Sequence, residues 1–240
     1  MSDLSNVTAV ILAGGLGTRL RRVVSDRPKV MAEINGRPFL SYLLDQLAKA
    51  GIARVVVSTG YMAKVIENSI GFSYRGLQLD YSREETPLGT AGAVKLAGQV
   101  VDTDHCLVMN GDSYTKFDPV SLYMFHKQEK ANITILAKMV DNTTRFGTIQ
   151  MNERNEIEKF MEKKPKADLG LINAGVYIMK TSVFKEIPDK IPCSLEYDFF
   201  PSMIGQGIFG FKTKGKFIDI GTPKSYTKAK AWLEQPSVLI

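Results

Sequence analysis

Three glycines and two cations near the N-terminus have the types and spacing that could do chemistry. Gly14, Gly15 and Gly17 follow a continuous apolar run that is typical of a buried strand, and Arg19 and Lys29 come soon after them. Glycines at the end of a strand allow a sharp turn and leave backbone N–H groups accessible, because no Cβ covers them. N–H groups and cations together suit a polyanionic ligand, and a phosphate chain is the obvious candidate.

Two common phosphate-binding loops do not match this stretch. A dinucleotide fingerprint, G-x-G-x-x-G, would need glycine where Leu20 stands, and a P-loop would need Lys directly after Gly17, where the chain has Thr18. Two interpretations of the loop remain, phosphate binding and a tight turn beside a solvated basic segment. The residues favour phosphate binding.

Two aspartates at the ends of predicted strands could bind a metal ion. Asp112 follows the strand predicted over residues 105–109, and Asp219 ends another strand-like run. Each is also explained by the frequent use of Asp in turns. If the two carboxylates converge, they suit Mg²⁺, a hard cation that usually takes one or two carboxylates together with phosphate oxygens.

The glycine-rich stretch with Pro28-Lys29 resembles the signature of sugar-1-phosphate nucleotidyltransferases. In that family the loop wraps a nucleoside triphosphate and the matching Arg and Lys bind its phosphates. The resemblance implies that Asp112 and Asp219 hold Mg²⁺ and that Arg19, Lys29, Asp112 and Lys163 are catalytic. It implies nucleotide binding by Leu12, Ala13, Gly14, Gly15, Gly17, Thr18, Arg19, Lys29, Glu84, Pro87, Gly89, Thr90 and Asp112.

Later segments match the sugar-binding elements of the same family. Residues 160–165 resemble F-x-E-K-P with one extra Lys, residues 173–177 match N-A-G-x-Y, and residues 194–196 match S-L-E, whose Glu accepts from two sugar hydroxyls. Lys163 is the expected ligand of the sugar phosphate, with Lys164 as the alternative. Without the resemblance, residues 194–196 are explained equally well as a helix cap. The sugar-phosphate-binding residues that the resemblance implies are Gly147, Glu162, Lys163, Asn173 and Glu196.

Glu84 carries the prediction of the base. Family members that transfer uridylyl or thymidylyl groups have Gln at this position, and an amide suits the N3–H and O4 edge of uracil or thymine. An ionised carboxylate only accepts hydrogen bonds, and guanine presents two adjacent donors, N1–H and N2–H₂. GTP is therefore the first choice and dTTP the second, with Glu85 as the alternative base reader.

The resemblance, together with Glu84, implies nucleotidyl transfer from GTP to a sugar 1-phosphate, with release of pyrophosphate. The attacking oxygen belongs to the sugar phosphate, which is ionised at neutral pH, so no protein nucleophile is needed. Within the family, the chain length, Glu84 and residues 88–92 are most similar to bacterial heptose- or mannose-1-phosphate guanylyltransferases of surface-glycan synthesis. The expected sugar is D-glycero-α-D-manno-heptose 1-phosphate. The alternatives are mannose 1-phosphate, thymidylyl or uridylyl transfer to glucose 1-phosphate, and a non-catalytic nucleotide-sugar sensor.

The elements that must position these residues alternate between strands and helices as far as about residue 135. This alternation predicts an α/β fold with a doubly wound, mostly parallel, Rossmann-like sheet. Ligands of such sheets bind at the carboxyl ends of the strands, where residues 14–19, 84–90 and 110–112 all fall. Beyond residue 133, short strand-like runs predict a smaller antiparallel part that binds the sugar, followed by helices over 195–204 and 223–233.

We expect one domain over residues 1–240, with a nucleotide-binding part over about 1–135 and a sugar-phosphate-binding part with a closing helix over about 136–240. The net charge of +6 comes from 31 basic and 25 acidic residues, a mixed surface that does not indicate nucleic-acid binding. Cys106 and Cys193 are too few for a disulfide framework or a zinc cluster. The absence of a secretory signal and of a run of ~18 apolar residues predicts a cytoplasmic protein with no membrane partner. The family commonly assembles, so a homo-oligomer is compatible with the resemblance.

Overall fold

The computed structural model describes residues 4–161 and 168–233. Its helices are α1 (Phe39–Lys49), α2 (Ala63–Ile70), α3 (Gly89–Ala97), α4 (Pro119–Gln128), the single turn α5 (Phe200–Ser202) and α6 (Pro223–Leu233). Its strands are β1 (Val7–Leu12), β2 (Glu33–Ile34), β3 (Arg37–Pro38), β4 (Arg54–Thr59), β5 (Ser73–Tyr74), β6 (Leu77–Arg83), β7 (His105–Asn110), β8 (Ser113–Thr115), β9 (Ile133–Val140), β10 (Thr148–Met151), β11 (Ile157–Met161), β12 (Gly170–Lys180), β13 (Ile208–Thr213) and β14 (Phe217–Asp219). Turns of 3₁₀ helix lie at Lys29–Met31, Gly98–Val100 and Thr181–Glu186, and a π-helical turn lies at Leu195–Phe199.

A ten-stranded sheet with strand order β11-β10-β12-β7-β1-β4-β6-β5 forms the centre of the fold, with β9 beside β12 and β13 beside β9. The pairs β7-β1, β1-β4 and β4-β6 are parallel, and Ala9 of β1 lies opposite Val55 on one side and Leu107 on the other. Strand β12 joins β7 in the antiparallel direction. The predicted α/β class with a doubly wound, mostly parallel sheet is therefore confirmed, and strands from both halves of the chain share the sheet.

Helices pack on both faces of the sheet because its central strands are apolar on both faces. Along β1, Ala9 and Ile11 belong to one core with side chains of α1, α2 and α6, whereas Val10 belongs to the opposite core with side chains of α3. This alternation has the period of two that a strand imposes on its side chains. The two cores fix the sheet between helical layers, so that its carboxyl edge is rigidly placed.

Most predicted elements lie where the pattern put them; the short strands β2, β3, β5 and β8 were not predicted, and three longer elements differ. Helix α4 and strand β13 had no counterpart in the prediction. The predicted helix over 195–204 is wrong in form, because the structure has a π-helical turn followed by the single turn α5. Pro201 has no N–H to donate within this segment, and Gly205 ends it with a left-handed φ of 78°.

None of the helices in the described ranges is long and apolar enough to cross a membrane. Cys106 and Cys193 are both buried free thiols. Burial raises the pKa of the Cys106 thiol, which holds it protonated and makes it part of the apolar core.

Candidate active site

The first of two adjoining cavities lies at the carboxyl ends of β1, β4, β6 and β7 and has a volume of about 860 Å³. This edge is where a doubly wound sheet binds its ligands. The predicted nucleotide-binding residues that line the cavity are Leu12, Gly14, Gly15, Glu84, Pro87, Gly89, Thr90 and Asp112. The structure therefore brings together segments that are far apart in the sequence.

The second cavity has a volume of about 480 Å³ and adjoins the first, because Asn110 and Asp112 line both. The predicted site residues in its lining are Arg19, Asp112, Gly147, Asn173, Glu196 and Asp219. The shared wall consists of residues at the end of β7. Two ligands that occupied these cavities would therefore meet at Asp112.

Backbone hydrogen bonds hold the glycine-rich loop between neighbouring strands. The N–H of Ala13 donates to the carbonyl of Ser58 at 2.7 Å, and the carbonyl of Leu12 accepts from Gly111 at 2.9 Å. The next turn carries Gly17, Thr18 and the exposed Arg19, and it lies beyond the first cavity. The structure thus places Arg19 on the side of the second cavity, whereas Gly14 and Gly15 line the first.

Asp112 and Lys29 form an ion pair at the shared wall. The Lys29 side chain is only 12% exposed, and its 3₁₀ turn holds it beside the end of β7. A cation in this position neutralises Asp112 and lies where the phosphates of a ligand in either cavity would need counter-charge. The structure thus brings into direct contact two residues, Lys29 and Asp112, that the resemblance assigns to catalysis.

Strand pairing brings Asp219 beside Asp112. Strands β14 and β8 are antiparallel, with Asp219 opposite Ser113, and the N–H of Ile220 donates to the carbonyl of Asp112 at 2.9 Å. Asp219 accepts from Arg145 at 2.7 Å and from the N–H of Gly221 at 2.9 Å. In residues 4–161 and 168–233 no three His, Cys, Asp or Glu side chains cluster as a metal site. Two neighbouring carboxylates nevertheless fit Mg²⁺, which completes its coordination with water and phosphate oxygens.

Glu84 is held against the loops at the edge of the first cavity. Its Oε2 accepts from the N–H of Leu88 at 3.0 Å, and its carboxylate packs against Gly14 and Gly60, where no room remains for a Cβ. The other oxygen, Oε1, is the carboxylate atom nearest to Gly14 and Gly60, and the residue lines the cavity. Glu85, the alternative base reader, lines the same cavity and is exposed.

The turn after Glu84 is clamped to the segment that follows the cis peptide bond at Pro192. Gly89 has a φ of 77°, and a Cβ there would lie 2.8 Å from the backbone N of Cys193, so only glycine fits. The N–H of Ala91 donates to the Cys193 carbonyl at 2.9 Å, and Thr90 Oγ1 accepts from the N–H of Leu195 at 2.8 Å. One side of the first cavity is thereby fixed to one side of the second.

The buried Tyr177 hydroxyl links two side chains of the second cavity by hydrogen bonds. Tyr177 Oη accepts from Asn173 Nδ2 at 3.0 Å and donates to Glu196 Oε1 at 3.4 Å. Complete burial raises the pKa of Tyr177, so its hydroxyl keeps the proton that it donates to Glu196. Asn173 is held in turn by the N–H of Gly175, which donates to its Oδ1 at 2.9 Å. The two predicted sugar ligands, Asn173 and Glu196, therefore belong to one hydrogen-bonded unit.

Comparisons with known proteins show the family to which the chain belongs. The family model described as nucleotidyl transferase matches residues 8–235. The chain belongs to this nucleotidyl transferase family. It is 38% identical over 229 residues to the D-glycero-alpha-D-manno-heptose 1-phosphate guanylyltransferase of Aneurinibacillus thermoaerophilus, covering 94% of the chain and 98% of that relative.

Two further similarities place the nucleotidyl transferase among its relatives. It is 35% identical over 229 residues to the mannose-1-phosphate guanylyltransferase of Mycobacterium tuberculosis, covering 94% of this chain but 64% of that protein. The crystal structure of HddC from Yersinia pseudotuberculosis complexed with GMP-PN matches with a TM-score of 0.83 and 33% identity, covering 95% of this chain and all of that one. The resemblance stated from the sequence motifs is confirmed at the level of the family.

The structure also identifies residues of this nucleotidyl transferase that the sequence motifs did not assign. Arg145 pairs with Asp219 and lines the second cavity, and its position two residues before Gly147 was the only sequence signal. Asn110 lines both cavities, and its Oδ1 is buried with no hydrogen-bond partner among the described residues. The sequence signal for Asn110 was its position directly before Gly111-Asp112. By contrast, Glu162, Lys163 and the alternative Lys164 lie outside the described residues.

Ser194 caps the π-helical turn, as the alternative interpretation of residues 194–196 predicts. Its Oγ accepts from the N–H of Tyr197 at 3.3 Å. Glu196 makes no such cap, because its two oxygens accept from Tyr177 and, at 3.3 Å, from Ser194 Oγ. In this nucleotidyl transferase the capping role and the cavity role are thus divided between the two residues.

Proposed function

We propose that the chain transfers a guanylyl group from GTP to D-glycero-α-D-manno-heptose 1-phosphate, giving a GDP-heptose and pyrophosphate for surface-glycan synthesis. The observation that carries this proposal is the pair of adjoining cavities that share Asp112, one lined by the loops of a nucleotide site and the other by predicted sugar ligands. The heptose 1-phosphate guanylyltransferase similar over 98% of its own length supports the choice of both substrates.

In the proposed reaction an oxygen of the sugar phosphate attacks the α-phosphorus of GTP, and the bond to the β-phosphate oxygen breaks. No proton has to move, because the attacking oxygen is already ionised. The chain has to hold two polyanions in line and to supply positive charge where pyrophosphate departs. We assign that charge to Arg19 and Lys29, and the placement of the sugar phosphate to Lys163.

We further propose Mg²⁺ as the metal ion, held by Asp112 and Asp219. The support is the donor set itself, two hard carboxylate oxygen donors on adjacent strands beside both cavities. When bound there, Mg²⁺ would neutralise phosphate charge and favour departure of pyrophosphate. Lys29 pairs with Asp112 and Arg145 pairs with Asp219, and Ser225 Oγ adds a hydrogen bond to Asp219 at 3.3 Å.

We propose that residues 1–240 act as one domain, with nucleotide binding over about 1–135 and sugar-phosphate binding over about 136–240. The support is the shared sheet, in which β12 of the second part pairs directly with β7 of the first. The clamp of Ala91 on Cys193 links the same two parts a second time. Two such links favour substrate sites that keep a fixed relative position.

Mannose 1-phosphate is the second candidate for the sugar substrate. It is favoured by the 35% identity with the mycobacterial mannose-1-phosphate guanylyltransferase across 94% of this chain. The chain spans 64% of that relative's length, whereas it spans 98% of the heptose 1-phosphate relative. The difference in coverage is the reason for placing heptose first.

The test is pyrophosphate release measured with GTP, dTTP, UTP and ATP against heptose, mannose and glucose 1-phosphates. We expect the highest kcat/KM for GTP with heptose 1-phosphate, followed by GTP with mannose 1-phosphate. Preference for dTTP or UTP would contradict guanylyl transfer and favour the glucose 1-phosphate alternatives. Tight binding of a nucleotide sugar without turnover of any pair would instead support the sensor.

A further inference from the structure

Arg145 is a cation beside the carboxylates that the family motifs leave without a role. Its Nη2 donates to Asp219 Oδ1 at 2.7 Å, and its guanidinium lies 5.5 Å from the centre of the Phe146 ring. The Asp219 side chain is 15% exposed and that of Arg145 is 41% exposed. Arg145 therefore reaches from the mouth of the second cavity inward to a carboxylate at its wall.

Two cations and a carboxylate converge at Gly221. An ideal Cβ on Gly221 would lie 2.9 Å from Asp219 Oδ1, 3.5 Å from Lys29 Nζ and 3.9 Å from Arg145 Nη2. Lys29 is itself paired with Asp112. The cluster thus contains two carboxylates and two cations, and its charges balance before any ligand binds.

We propose that Arg145 binds the phosphate of the sugar 1-phosphate and competes with the divalent cation for Asp219; this inference rests on the proposed function. In the arrangement described here, the guanidinium neutralises Asp219. A divalent cation on Asp219 makes that contact redundant and frees the guanidinium within the second cavity. Arg is suited to the second role, because its planar fork of N–H donors matches phosphate oxygens in a bidentate manner.

The competition and a purely structural contact predict opposite changes in the affinity for a divalent cation when Arg145 is replaced. Replacement of Arg145 by Met removes the competing charge, so a divalent cation should bind the substrate-free protein more tightly. The same replacement removes a phosphate ligand, so the sugar 1-phosphate should bind more weakly. If Arg145 only held Asp219 in place, its loss would loosen the carboxylate and weaken binding of the cation as well.

The decisive experiment is a titration of Mn²⁺, followed by its EPR signal, into the substrate-free wild type, Arg145→Met, Arg145→Lys and Arg154→Met. Arg154 is an exposed arginine that lines neither cavity and serves as the matched control. We expect Mn²⁺ to bind Arg145→Met about two- to fivefold more tightly than wild type, the range expected for a partly exposed ion pair. Arg145→Lys should stay near wild type, since the charge is kept.

The second arm measures steady-state kinetics of the same variants with heptose 1-phosphate and mannose 1-phosphate at saturating GTP and Mg²⁺. We expect KM for the sugar phosphate to rise roughly tenfold or more in Arg145→Met, as for loss of a charge-assisted hydrogen bond. The KM for GTP should change little. Arg145→Lys should recover part of the loss, because Lys supplies charge without the fork.

The outcomes separate this inference from the function on which it rests. Unchanged or weaker Mn²⁺ binding by Arg145→Met would overturn the competition, and an unchanged KM for the sugar phosphate would overturn the phosphate contact. The Mn²⁺ titration needs no turnover. Failure of the wild type to release pyrophosphate with any substrate pair would therefore contradict the proposed function. An active wild type, with Mn²⁺ affinity and KM for the sugar phosphate unchanged in Arg145→Met, would contradict only the role of Arg145.

Discussion

The two cavities at the edge of the sheet are built by different means. Glycines in loops and turns that follow the parallel strands bring backbone into the wall of the first cavity, namely Gly14, Gly15, Gly60, Gly89 and Gly111. The second is bounded by side chains joined through Tyr177, whose hydroxyl connects Asn173 with Glu196. A backbone wall keeps its shape when one side chain changes, and a hydrogen-bonded network does not. The comparison predicts that single substitutions discriminate most strongly on the sugar side.

The wall between the cavities depends both on backbone hydrogen bonds and on a charged side chain. Asp112 is placed by backbone bonds from Gly111 to Leu12 and from Ile220 to Asp112, yet it acts through a charged side chain. Its ion pair with Lys29 lies at the point where two anionic ligands would meet. Substitutions at this wall should therefore impair the use of both substrates, and they should have the largest effects.

Asp112→Asn should have the largest effect on activity, because Asp112 lines both cavities. It keeps the shape of the side chain, removes a proposed metal ligand and leaves Lys29 without its counter-charge. We expect kcat, measured with both substrates saturating, to fall by roughly 10³-fold. We also expect weaker Mn²⁺ binding. Steady-state kinetics and the Mn²⁺ titration measure the two effects. Asp141→Asn, at an exposed position outside both cavities, is the matched control, and near-normal turnover of Asp112→Asn would contradict its role.

Lys29→Ala and Arg19→Ala test whether the two cations of the glycine-rich stretch serve the transition state. Each should lower kcat by about 10²–10³-fold, as does loss of a donor that stabilises developing charge. Lys29 is nearly buried at the shared wall, whereas Arg19 is exposed and lines only the second cavity. We therefore expect the larger loss for Lys29→Ala. Arg154→Ala serves as the control, and a near-normal kcat for Arg19→Ala would remove Arg19 from the catalytic set.

Glu196→Gln tests the side-chain network of the second cavity. The amide keeps an acceptor for the Tyr177 hydroxyl but loses the charge that strengthens hydrogen bonds from sugar hydroxyls. We expect KM for the sugar 1-phosphate to rise about 10- to 100-fold while KM for GTP is unchanged. Glu186→Gln, which lies outside both cavities, is a suitable control. Equal losses for both substrates would show that the cavities are not independent.

Local sequence patterns specify the first cavity more directly than the second, for a physical reason. A loop such as 14–17 is specified locally by an apolar run, by glycines and by the carboxyl-end rule of parallel sheets. The register that sets Asp219 opposite Ser113 comes from β14 pairing with β8 across about a hundred residues, and no local pattern encodes it. The motif resemblance supplied the pairing of Asp112 with Asp219, and the register then explained it.

The elements that the sequence did not predict have weak local signals. Helix α4 buries only Pro119, Leu122 and His126, and its Tyr and Phe side chains are half-buried, so its apolar periodicity is poor. Strand β13 is six residues long and contains Gly210, which lowers its strand propensity. Arg145 was missed because an arginine before an apolar run normally faces solvent. Its contact with Asp219 is the observation from which its role is proposed.

Glu84→Gln should have the smallest effect on activity of these substitutions, and it tests the first cavity most directly. The amide oxygen can still accept from Leu88, so the backbone wall should persist, and the new amide donor replaces a pure acceptor at the base. We expect the ratio of kcat/KM for GTP to that for UTP or dTTP to fall by about tenfold. Glu85→Gln is the matched neighbour, and its nucleotide ranking should not change. A competition assay with mixed nucleotides decides between them, because a shift in Glu85→Gln alone would assign base reading to Glu85, and no shift in either would remove the argument for guanine.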